Sequence, residues 1–202
     1  MTKLITTIVF ILAVSVVTAQ SIDKTLFVGN VISDTSTCKA NSFYNKDWSS
    51  ILKSGNKIEI RFMRFPSFEN SDCTILSFNK KWSAKYFYSK PGKDSLLSKD
   101  ISNKVNLDTL FARLVSNNIF SLPDQDSLKT GNYYYDPDTN EFSSMEMAVN
   151  DGIGYIIEFK VGDRYRHYSY SNPDTYADFY PHVYELRDFT NIVAIFKELL
   201  KE

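Results

Sequence analysis

Cysteine and histidine are nearly absent: the 202 residues hold only Cys38, Cys73, His167 and His182. Structural zinc sites and C-x-x-C redox pairs place their ligands about two to four residues apart, and neither cysteine has a partner at that distance. Glycine is scarce too, with 7 in the chain, and no G-x-S-x-G, H-E-x-x-H or glycine-rich phosphate loop occurs. That removes the usual nucleotide-cradling scaffolds and the common hydrolase and metalloprotease signatures. Charge of one sign is also lacking, because 23 Lys and Arg stand against 24 Asp and Glu, a formal net charge of −1. A nucleic-acid binder would show a basic excess or a clustered basic stripe, and here the basic residues are scattered among acids. By composition the chain expects no strong partner of either sign. Past residue 19 no apolar run reaches the ~18 to 20 residues that cross a bilayer.

The first residues are different. Lys3 precedes the apolar stretch Leu4-Ile5, Ile8 to Val14 and Val16-Val17, and Val17-Thr18-Ala19 carries small residues where signal peptidase needs them. Residues 1–19 therefore read as a signal peptide cleaved after Ala19, and 20–202 as one exported domain in the periplasm or outside the cell. No cysteine lies near the cut to take a lipid, so no membrane anchor is expected after processing. In an oxidising compartment Cys38 and Cys73 have one pairing open to them, a bridge worth roughly 3 to 4 kcal/mol in the chain-entropy picture.

Aromatic residues are plentiful, with 15 Phe, 13 Tyr and 2 Trp, enough to offset backbone entropy by burial. Their periodicity sets the elements. Ile58, Ile60 and Phe62 alternate with Glu59 and Arg61, the pattern of a strand, and Pro66 ends it. Thr74 to Phe78 and Trp82 to Tyr88 flank the turn Asn79-Lys80-Lys81. Leu107, Leu110, Phe111 and Leu114 recur at three and four behind the N-cap candidate Asn106 and predict a helix ending near Asn117-Asn118. A polar loop is expected from Pro123 to about Asn140. A second meander follows, with strands at Met145 to Val149, Tyr155 to Val161 and Arg164 to Tyr170. Ile192, Ile195, Phe196, Leu199 and Leu200 predict a final helix starting near Asp188 or Thr190. The class is α+β: an antiparallel sheet of about six strands, in two three-stranded meanders, under two covering helices.

The segments KYFYSKP at Lys85 to Pro91 and HYSYSNP at His167 to Pro173 share a tyrosine, serine and proline pattern, and each precedes a helix at similar spacing. Two readings stay open: an internally duplicated hairpin–helix unit, or two unrelated hairpins each stopped by proline.

Candidate chemistry is thin. His167 could serve as an acid or base near neutral pH, with Asp163 and Glu158 as dispersed partners, but a half-exposed strand position explains it as well. His182 follows Pro181 and reads as a surface or capping residue. Asp136-Pro137-Asp138-Thr139-Asn140 begins like a calcium loop, yet Glu141 stands where the glycine belongs and Met147 where the bidentate acid belongs; the same residues make an ordinary turn. No metal and no cofactor is expected. The tyrosines carry more weight. Tyr133-Tyr134-Tyr135 sits in a polar stretch, and Tyr176 and Tyr180 belong to a second crowd before the last helix. Rings with a polar tip suit an interface or a sugar-stacking platform. The sequence thus points to a non-enzymatic binding module that meets a protein or carbohydrate partner at an aromatic surface formed by Tyr133, Tyr134, Tyr135, Tyr176 and Tyr180. The alternative is a hydrolase-like enzyme of the cell envelope.

Overall fold

Alternation of Ile58, Ile60 and Phe62 with Glu59 and Arg61 places two chemically different faces on one strand, and the sheet is built around it. The computed structural model describes residues 51–90 and 95–201. Its main sheet takes β1 (Ile58–Pro66), β2 (Asp72–Phe78), β3 (Trp82–Ser89), β4 (Leu96–Asp100), β7 (Ile153–Val161) and β8 (Arg164–Ser171) in the order β4-β3-β2-β1-β7-β8, with every neighbour antiparallel. Between them run α1 (Leu107–Ser116) and a separate hairpin of β5 (Asn132–Asp136) and β6 (Glu141–Met145); α2 (Pro173–Phe179) and α3 (Tyr184–Leu200) close the chain. Among the described residues no helix is long and apolar enough to cross a membrane.

The α+β class and the six-stranded antiparallel sheet agree with the sequence, while the grouping of strands does not. The first meander has four strands, because the short segment Leu96–Asp100 pairs with β3. The second has two, since Met145 ends β6 and the residues after it, expected as a strand through Val149, join no ladder. A third helix, α2, forms where none was expected: Asn172 takes a left-handed conformation at φ 47° and Pro173 occupies the first helical turn, where a missing N–H costs nothing.

Register defines the faces. Ile60 lies between Leu76 and Phe159, and Phe62 between Thr74 and Ile157. On this face α1 and α3 pack: Trp82 meets Phe111 at 4.7 Å, Phe62 stacks on Phe196 at 4.3 Å, and Tyr170 stacks on Phe189 at 4.0 Å. Each buried ring of this kind contributes roughly 1.5 to 3 kcal/mol. Asn106 caps α1 as expected, its side-chain oxygen accepting from the Thr109 N–H at 3.0 Å. The opposite face carries Glu59, Arg61, Glu158 and Lys160, all buried. Arg61 pairs with Glu59 at 2.8 Å, Asn56 and Ser54 donate to the other Glu59 oxygen, and the Lys160 ammonium donates to the Ser54 carbonyl.

A duplication is not confirmed. From β2 the chain turns outward into β3 on one side of β1; from β7, which runs the same way as β2, it turns outward into β8 on the other side. With α1 and α3 on the same face, the two hairpin–helix units have opposite hand, and β4 intervenes in the first where α2 intervenes in the second.

The outer edge of β8 is closed by side chains. Asp124 accepts from the Ser169 N–H at 3.3 Å and Gln125 from the Ser171 N–H at 2.7 Å. Arg166 donates to the Phe120 and Leu122 carbonyls, and Tyr168 to that of Ile119 at 2.7 Å. An edge so occupied offers no template to another chain.

Candidate functional site

Three consecutive tyrosines, a turn sequence and then Glu141-Phe142-Ser143-Ser144-Met145 make a β-arm rather than the expected loop. Tyrosine favours the extended chain. Asp136-Pro137-Asp138-Thr139-Asn140 reverses it: the Asp138 N–H donates to the Asp136 carboxylate at 2.9 Å, and Asn140 takes φ 58°, a conformation asparagine tolerates. The Tyr135 hydroxyl donates across the turn to the Asn140 side chain at 2.6 Å.

Period-two alternation splits the arm. Tyr133 and Tyr135 share a face, with Ser144 opposite the first and Phe142 opposite the second, and Tyr135 and Phe142 lie 5.5 Å apart. Tyr134 faces the other way. None of these rings is covered, nor is Met145: Tyr133 is 76 % exposed, Phe142 77 %, Tyr135 50 %, Tyr134 49 % and Met145 51 %. Gly131 makes room at the base, since a Cβ there would lie 2.7 Å from the Tyr133 ring.

The arm is anchored at both roots by the end of α2. The Asn132 side chain donates to the Phe179 carbonyl at 2.8 Å, and the Tyr180 hydroxyl accepts from the Met147 N–H at 3.0 Å. Tyr180, expected on the binding surface, is therefore a core residue: it is 2 % exposed, with Phe179 edge-on at 4.8 Å. Tyr176 is half-buried and stacks against Tyr180 at 6.2 Å. Of the five tyrosines expected on a binding surface, Tyr133, Tyr134 and Tyr135 are exposed, together with Phe142 and Met145 of the same hairpin, Tyr176 is half-buried and Tyr180 is buried. Phe142 and Met145 were findable, because a run of β-formers, a D-P-D-T-N turn and an apolar-polar alternation describe a hairpin.

Of the dispersed acid–base candidates, Glu158 and His167 stand opposite each other across β7 and β8, whereas Asp163 is exposed in the turn between the strands. The Tyr165 hydroxyl donates to one Glu158 oxygen at 2.8 Å; the other oxygen and His167 Nδ1 are buried without a hydrogen-bond partner. Burial raises the Glu158 carboxyl above its ordinary value, against the hydrogen bond from Tyr165. His182 is exposed beside the Tyr180 ring. Among the described residues no three His, Cys, Asp or Glu side chains gather as a metal site. Cys73 is buried, which opposes ionisation of its thiol, and Cys38, its expected bridge partner, lies outside the described residues, as does the signal-peptide segment.

No protein-family model matches the chain, and no curated protein matches it.

Proposed function

We propose that this chain is a non-enzymatic binding module, exported after cleavage at Ala19, that engages its partner through the aromatic arm. The observation that carries the proposal is the exposure of Tyr133, Tyr134, Tyr135, Phe142 and Met145 together on one two-stranded element. Large uncovered apolar side chains collected in one place mark interaction surfaces in proteins that otherwise bury such groups. Aromatic rings at an interface are the side chains whose truncation costs most binding energy, about 1 to 2 kcal/mol or more each. The test pairs Tyr133→Ala and Phe142→Ala with the native chain. The variants should keep the native melting temperature and lose about tenfold or more in affinity for the species that co-purifies with the native protein. Retained affinity in both would remove the arm from the function.

The enzyme alternative draws support from one feature, the opposed Glu158 and His167 with unpartnered polar atoms. A carboxyl whose proton affinity burial raises is suited in direction to proton donation. Glu158 is itself only 2 % exposed, which favours a structural role.

A further inference from the structure

The arm's chemistry narrows its occupant, on the premise that the arm is the binding surface. From Thr130 to Phe159 the chain has no Lys, Arg or His, and it carries Asp136, Asp138, Glu141, Glu146, Asp151 and Glu158. Asp138, Glu141 and Glu146 are exposed on the arm or at its root, and among the described residues no ion pair engages them. The arm that presents the Tyr133, Tyr135 and Phe142 rings thus carries uncompensated negative charge, with Asp138 in its turn, Glu141 on the opposite face with Tyr134, and Glu146 just past β6. Ring faces carry negative potential as well, so guanidinium and ammonium groups are attracted to both. Elsewhere the chain makes that contact itself, with the Arg187 guanidinium 5.0 Å from the Tyr184 ring centroid.

The backbone gives a second constraint. Among the described residues β5 and β6 pair only with each other, so no described strand lies on either outer edge of the arm, in contrast to the β8 edge that Asp124 and Gln125 close. A two-stranded hairpin is marginal by itself, and a third strand supplies main-chain hydrogen bonds while alternate side chains fall on the aromatic face. We propose that the arm receives an extended, lysine- or arginine-rich segment of another protein as an added strand, its alternate basic side chains laid on Tyr133, Tyr135 and Phe142 on one face and paired with Glu141 on the other, with Asp138 at the turn.

The test uses an array of immobilised random-sequence peptides in three sets, net basic, neutral and acidic. It is probed with the full chain and with a Tyr133→Ala/Phe142→Ala variant first shown to melt as the native protein does. Measurements at about 0.15 M and about 1 M salt span a fall in Debye length from ~8 to ~3 Å. The expected result is binding concentrated in the basic set, weakened about tenfold or more by salt and by the variant. Binding spread equally over the three sets yet lost in the variant would overturn the basic occupant and leave the arm as the binding surface. Equal binding by the native chain and the variant, or none by either, would overturn both. Salt-dependent association of the native chain with itself, abolished by Lys80→Glu/Lys81→Glu, would show a second copy as the occupant and likewise overturn the proposal.

Discussion

Replacing Tyr180 and replacing Tyr133 by alanine should have opposite consequences, although both lie in the tyrosine-rich regions of the sequence. Tyr180 is 2 % exposed, meets Phe179 edge-on at 4.8 Å, and its hydroxyl accepts from the Met147 N–H at 3.0 Å. Removing a buried aromatic ring costs about 3 to 5 kcal/mol where the surroundings relax only in part. For a chain of this size each kcal/mol moves the melting temperature by roughly 2 to 4 °C, so Tyr180→Ala should melt roughly 10 °C below the native protein. Tyr180→Phe keeps the ring and loses only the acceptor for Met147, a cost of about 1 kcal/mol. Tyr133 is 76 % exposed, and Tyr133→Ala should stay within about 0.5 kcal/mol of native. Thermal melts followed by circular dichroism compare the three directly. A fall for Tyr133→Ala as large as that for Tyr180→Ala would mean that the arm rings are packed. A silent Tyr180→Ala would remove Tyr180 as the anchor of the arm's root.

Glu158→Gln should change how stability depends on pH. Burial raises this carboxyl above its unfolded value, so the native state binds the proton more tightly; the stability tied to it is full below the unfolded value and is lost as pH rises through the folded one. The variant should escape that loss and be more stable than the native chain at neutral pH, with a flatter pH dependence in urea titrations, whereas an unchanged pH slope would show that Glu158 is ionised at no cost. Asp124→Ala should open the β8 edge, with faster amide exchange at Ser169 and a loss of about 1 kcal/mol; unchanged exchange would mean the Asp124 contacts protect nothing. In chain recovered from an oxidising compartment, reduction should add the mass of two hydrogens if Cys38 and Cys73 are bridged, and free thiols in the unfolded, unreduced protein would dismiss the bridge.

The sheet was legible where period-two alternation was strong. Ile58, Ile60 and Phe62 named the helix-covered face of β1, and Leu110, Phe111 and Leu114 named the buried stripe of α1. β4 was not legible, because Leu96–Asp100 alternates weakly and is held by its pairing with β3, a tertiary fact. Alternation put Glu59 and Arg61 on the other face of β1, but their burial was not legible: they pair with each other, and β7 sets Lys160 and Glu158 beside them. Among the tyrosines, the exposure of Tyr133 to Tyr135 was legible from their polar surroundings, while the burial of Tyr180 was not, because nothing local tells a ring that caps a surface from one that anchors an arm. Whole-chain charge concealed the acid-only stretch from Thr130 to Phe159, which the near-neutral total averages away.

The claim that the arm is the docking surface is tested most directly by placing a photo-crosslinking phenylalanine analogue at position 133, and separately at Arg187 on α3, and illuminating the chain in its native compartment. An adduct of defined mass from position 133, absent from position 187 and from a Phe142→Ala background, is the predicted result. Adducts from position 187 with none from position 133 would contradict it.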